Sequence, residues 1–179
     1  MTVHVLQLFA ELGIPADYGA DPPLPTYAET ESLEDVEPNI LGRMQRLHPD
    51  TARNWRAMKG EAETDGIRLL LVSGFRSYSY QIELIRAKLD AGQDLESILR
   101  VNAAPGFSEH HTGRAVDIAT PGSRPLTASF DRSDAFFWLK RNAERFGFSM
   151  PYGEHNRFGL AYEPWHWSQL GDLARTVGA

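Results

Sequence analysis

Apolar residues recur along this chain with two different periods, and the changes of period mark out its elements. Leu6, Leu8, Phe9 and Leu12 lie near helical spacing, so residues 3–12 read as a short helix that stops at Gly13-Ile14-Pro15. Residues 15–38 hold five prolines, two tyrosines and many acids, the pattern of an irregular arm on the surface. Ile40, Leu41, Met44, Leu47, Trp55 and Met58 give residues 39–62 a helical pattern, bent at Pro49. Residues 67–72 form a short apolar run between Gly66 and Gly74, the signature of a strand. Ile82, Ile85 and Leu89 predict an amphipathic helix over 79–91, and a shorter helix follows over 95–101. Residues 113–119 read as a strand, 133–146 as an aromatic-rich helix, and a strand follows near Phe148. The tail, 169–175, reads as a short terminal helix. Strands and helices do not alternate as in doubly wound folds, and no segment repeats. The predicted class is therefore α+β, with a small antiparallel sheet flanked by helices.

Composition narrows the chemistry. A length of 179 residues suits one domain, 1–179, with 1–38 as an N-terminal helix and arm. There are no cysteines, so any metal must sit on His, Asp or Glu, and thiol nucleophiles are excluded. The net charge is −6 and the 18 basic residues are scattered, which argues against nucleic acid or an anionic membrane surface as partner. The first residues lack a basic start, Glu11 interrupts their apolar run, and no stretch is long enough to span a bilayer. A cytoplasmic location is expected for the sequence as it stands, and a periplasmic or extracellular one if a leader was removed.

Two clusters stand out among the polar residues. In the run from Ser108 to Asp117, His110 and His111 precede Gly113 and a strand. On that strand Gly113, Ala115, Asp117 and Ala119 share one face, while Val116 and Ile118 face the core. A face bare except for one carboxylate leaves room for a metal, although a tight turn with a solvated Asp would look the same. The second cluster is Glu163-Pro164-Trp165-His166-Trp167, where both tryptophans share a face opposite His166. Glu163 and His166 have opposite strand parity, so they can serve one site only if the backbone is irregular at Pro164. Two imidazoles, one Asp and a spare Glu match a catalytic zinc, which takes three protein ligands and keeps a position for water whose pKa it lowers. Glu163 is the candidate base. Arg76, at the turn after the 67–72 strand, is a candidate oxyanion donor if it faces the same cleft.

Ser108-x-His110-x-x-Gly113-x-Ala115-x-Asp117 followed by Glu163-x-x-His166 resembles the paired signature of the VanY-like D-alanyl-D-alanine carboxypeptidases. Ser73-Gly74-Phe75-Arg76-Ser77 resembles the upstream arginine segment of that family, with Gln81 where a glutamine often stands. The resemblance covers roughly residues 65–170. It implies a Hedgehog/D-Ala-D-Ala peptidase-like fold, zinc on His110, Asp117 and His166, Glu163 as general base and Arg76 at the scissile carbonyl. Ser108 and Gln81 would hold the terminal carboxylate of a peptidoglycan stem peptide or another D-Ala-containing peptide. His111 stands where many relatives have glutamine, and the spacing favours His110 as the ligand. The expected reaction is removal of a terminal D-alanine by attack of a zinc-bound water. L,D-carboxypeptidase, D-Ala-D-Ala dipeptidase and endolysin-type endopeptidase are the enzymatic alternatives, and a non-catalytic zinc-containing binding module is the alternative of another class.

Overall fold

The computed structural model describes residues 3–170. The first helix, α1 (Val3–Leu12), buries Val5, Leu8, Phe9 and Leu12. The arm that follows ends in a strand, β1 (Glu34–Pro38), paired antiparallel with β2 (Met44–Leu47). This corrects two expectations, because 34–38 is not irregular and 39–47 is not helical. The apolar residues that suggested a helix there are largely in solvent: Leu41 is 73% exposed and Met44 53%. Leu47, fully buried, is the one that anchors the hairpin to the core.

Helix α2 (Pro49–Thr64) starts at Pro49, which suits the first turn because its missing N–H is not needed there. Trp55, Met58 and Ala62 on its inner face are fully buried. A three-stranded antiparallel sheet follows in the order β3 (Leu70–Ser73), β4 (Ala115–Ala119), β5 (His166–Ser168). Helices α3 (Tyr78–Asp90) and α4 (Leu95–Val101) join β3 to β4, and α5 (Asp134–Asn142) lies between β4 and β5. The strand expected near Phe148 is a single bridge, Ser149 to Ser168. The terminal helix expected over 169–175 falls almost wholly outside the described residues.

The described residues form two apolar cores. On one face of the sheet Val116, Ile118, Trp165 and Trp167 pack with α2 and α5. A second cluster joins α1, α3, α4 and Phe107. Each fully buried large side chain contributes about 1.5–3 kcal/mol to this arrangement. The central strand β4 is buried along its whole length, so Asp117 lies on the sheet face away from the tryptophans yet out of solvent. No described helix is long and apolar enough to cross a membrane.

The arm has a place in this architecture. Tyr27 N–H donates to Gly106 O at 2.7 Å and Thr30 N–H to His111 O at 3.0 Å, so the arm runs along the 106–112 loop. Tyr27 is its buried anchor.

Candidate metal centre

Three segments distant in sequence converge beside β4. Cross-strand register sets Asp117 between Ser73 of β3 and His166 of β5. His110 arrives from above, on a 3-10 turn (Glu109–Thr112) that Ser108 starts by accepting the His110 N–H on Oγ. Gly113 ends that turn at φ +66, and a Cβ there would lie 2.9 Å from His48 N. Only glycine satisfies both the left-handed backbone and the close approach. The small face of β4 is thus roofed by the turn rather than left bare.

His110 Nε2 lies 3.2 Å from Asp117 Oδ2, and His166 Nδ1 lies 3.0 Å from Asp117 Oδ1. One ligand atom from each of the three residues falls within 4.8 Å of the others. The far side of each imidazole is fixed by the protein. His110 Nδ1 donates to Gly74 O at 2.7 Å, and His166 Nε2 donates to Glu109 Oε2 at 2.9 Å. Glu109 in turn accepts from the Tyr27 hydroxyl at 3.3 Å. Carboxylate or carbonyl support behind a ligating imidazole is the usual way its orientation and tautomer are set.

This donor set fits a divalent cation. With Nδ1 committed to Gly74, His110 Nε2 carries a lone pair, is fully buried and has no hydrogen-bond partner. It faces a carboxylate oxygen 3.2 Å away, and a cation between the two acceptors would satisfy both. Burial and the Arg76 guanidinium lower the His110 pKa to about 4, which keeps it a neutral donor. Burial alone would raise the Asp117 carboxyl, but the nearby His110 and Arg76 and the His166 hydrogen bond outweigh it and hold the group well below its ordinary value. For His166 burial favours the neutral ring, yet the Asp117 and Glu109 hydrogen bonds prevail and lift it to about 10, so without metal a proton sits among these carboxylates.

Arg76 closes the site from the β3–α3 turn. Its Nη2 donates to Asp117 Oδ2 at 2.6 Å and its Nε to Ser73 Oγ at 3.0 Å, leaving Nη1 without a protein partner among the described residues. Glu163 enters from the opposite side. It lies outside β5, because Glu163 O accepts the His166 N–H at 3.1 Å in a reverse turn. That turn, not a distorted strand, resolves the parity conflict. Burial raises the Glu163 carboxyl to about 7, with His166 and Arg76 opposing and Asp117 adding to the rise. Arg76, Asp117 and Glu163 all line a cleft of about 650 Å³, whose other wall is the β1–β2 hairpin.

His111 is not part of the triad. Its Nδ1 donates to Arg76 O at 2.7 Å and its Nε2 accepts from Gly106 N at 3.2 Å, so both nitrogens hold backbone. Ser108 lines a small polar cavity behind the triad, together with Tyr152 and Glu109. Gln81 lines neither cavity: it is fully buried, and its Nε2 donates to Ala103 O at 2.8 Å. Two supporting residues escaped the sequence reading. Glu109 lies between two residues already singled out, and nothing in its spacing separates a buried acid from a solvated one. Tyr152, whose ring packs 4.8 Å from that of His166, has no signal in its neighbourhood.

With this geometry in hand, comparison with known proteins is informative. The family model described as VanY, D-alanyl-D-alanine carboxypeptidase, matches residues 44–172. A putative carboxypeptidase, YodJ of Bacillus subtilis (strain 168), is 29% identical over 150 residues, covering 81% of this chain and 55% of its own length. The chain thus spans about half the length of that curated relative. Among solved structures, the LdcB LD-carboxypeptidase superposes with a TM-score of 0.68 at 29% identity, over 80% of this chain and 70% of that one. A glutamate-to-alanine mutant of the VanY D,D-pentapeptidase from a VanB-type vancomycin resistance cassette, in complex with Zn(II), superposes with a TM-score of 0.64 at 28% identity, over 86% and 85%.

Proposed function

The chain belongs to the VanY family of D-alanyl-D-alanine carboxypeptidases, and from that premise we propose that it is a zinc-dependent peptidase releasing a terminal D-alanine from peptidoglycan-type peptides. The observation that carries this reading is the buried His110 Nε2, a lone pair without a hydrogen-bond partner, aimed at Asp117 beside His166. His110, Asp117 and His166 would hold the metal, which when bound polarises a peptide carbonyl and acidifies a water.

The chain's own residues do the remainder. Glu163, outside the ligand set and facing the cleft, takes a proton on its carboxylate and returns it to the leaving amine nitrogen. Its raised affinity for a proton suits both halves of that exchange. Arg76 keeps Asp117 in place through Nη2 and offers Nη1 to the carbonyl oxygen as charge develops there. Of Ser108 and Gln81, Ser108 is the one placed beside the triad, where it could meet the terminal carboxylate. Gln81, behind the Ala103 backbone, reaches that group only if its bond to Ala103 O breaks.

The likeness to an LD-carboxypeptidase gives a second reading, in which the bond cleaved follows an L-centre. Both readings are tested by incubating the zinc-loaded protein with defined pentapeptide, tetrapeptide and D-Ala-D-Ala and weighing the products. Loss of D-alanine from the pentapeptide alone supports the first, and loss from the tetrapeptide the second. Glu163→Ala should abolish cleavage of every peptide while retaining zinc. A mutant that loses zinc would make Glu163 a ligand or its support, and a fully active mutant would place the base elsewhere.

A further inference from the structure

Lys88 sits in the last turn of α3, on the same face as Tyr80 and Leu84, and all three line the cleft that contains Arg76 and Glu163. A lysine near a helix C-terminus is favoured by the helix dipole, but such a side chain ordinarily extends into water. This one is half-buried and turned inward, and its Nζ donates to Asn102 Oδ1 at 2.9 Å. Among the described residues no carboxylate lies within ion-pair distance of it. Burial and the Arg76 guanidinium shift its pKa below the ordinary lysine value, and Glu163 only partly opposes them. The cleft as a whole is short of negative charge. Arg43 and Arg46 reach it from the hairpin, while its only acids among the described residues are Glu163 and the Asp117 already bonded to Arg76. A half-buried ammonium that lines a cleft and is held by a neutral amide is a ready partner for an anion entering that cleft.

We propose that Lys88 is a binding residue for a carboxylate of the substrate, so that the cleft selects peptides bearing a free carboxylate near the scissile bond. This rests on the peptidase reading and sharpens it. Two groups of one chemistry can supply the anion: the α-carboxylate of the leaving residue, or an acidic side chain on the part of the peptide that stays behind. In the first case Lys88 makes the enzyme an exopeptidase, and in the second it sets the composition of the stem.

Lys88→Gln is the discriminating variant, because a glutamine amide can still donate to Asn102 while the charge is gone; Lys88→Met removes both, and Lys88→Arg restores the cation. Three peptides are compared: one with both carboxylates free, one with the side-chain carboxylate amidated, and one with the C-terminus amidated. Steady-state kinetics of the zinc-loaded protein are paired with equilibrium binding of the same peptides to zinc-loaded Glu163→Ala protein, which needs no turnover. Loss of one charge-assisted hydrogen bond is worth about tenfold or more in affinity. Lys88→Gln should therefore raise KM and weaken binding about tenfold for the doubly free peptide, with Lys88→Arg recovering most of the loss. The penalty should vanish for the one amidated peptide that lacks the carboxylate Lys88 holds, which identifies its source. An equal penalty on all three peptides, no penalty on any, or no binding of any would overturn the proposal. Failure of the wild type to cleave would count against the peptidase reading alone, since the binding series still decides the role of Lys88.

Discussion

Both candidate ligand imidazoles, His110 and His166, spend one nitrogen on the protein, and the partners chosen differ in consequence. Gly74 O is backbone and cannot be mutated away, whereas Glu109 is a side chain whose only visible work is to hold His166 and accept from Tyr27. Glu109→Gln should therefore lower zinc affinity by about 10–100-fold, the usual cost of losing a carboxylate behind a ligand. Competition with a chromophoric chelator measures it, and unchanged affinity would show that the Glu109 contact is incidental. Glu163 makes a different prediction, about the metal-free protein. Its carboxyl binds a proton up to about pH 7 when folded, against a reference value of 4.5. Below about 4.5 both folded and unfolded states are protonated and burial has no charge to penalise. As the pH rises from there through 7 the unfolded chain ionises first, and folding loses stability until the folded carboxyl ionises too. Glu163→Gln lacks that charge. Its melting temperature should match the wild type at pH 4.5 and exceed it at pH 8, and equal curves at both would contradict the buried carboxyl described above.

Among the elements, the short turn over Glu109–Thr112 carries the greatest demand, because it must drop His110 onto β4 and then enter that strand at once. Gly113 makes this possible through a left-handed backbone and an approach that leaves no room for a methyl group. Gly113→Ala should cost about 1–3 kcal/mol, seen as a fall in melting temperature of several degrees, together with weakened zinc binding. A variant as stable as wild type would show that the loop has slack. This turn was legible in the sequence as a histidine-rich run before a glycine, and helices α1 and α4 were legible from spacing alone. The β1–β2 hairpin was not. Its apolar residues, Leu41 and Met44, point at solvent along the cleft rim, so their spacing mimics a buried helical face without being one. Glu163 was legible as a residue but not in its geometry, since a reverse turn and an irregular strand read alike around Pro164. Glu109 was hidden because burial of an acid is a tertiary fact. The arm's contribution, Tyr27 behind Glu109, joins residues 82 positions apart and leaves no local trace.

Across the whole molecule, the candidate metal centre is where segments distant in sequence meet. Cross-strand register alone brings Asp117 and His166 together, the 3-10 turn adds His110, and α3 with the hairpin supplies the walls of the cleft. The three proposed ligands span residues 110 to 166, so a bound cation would cross-link the turn, the central strand and the last strand. The most direct test is a crystal structure of the zinc-loaded protein with anomalous data collected on both sides of the zinc absorption edge. One anomalous peak per chain is expected, bonded to His110 Nε2, an Asp117 carboxylate oxygen and His166 Nδ1 at about 2.0–2.2 Å, with Glu163 facing the remaining position and not bonded to the ion. A well-occupied peak on His111, or no zinc between the three side chains, would contradict it.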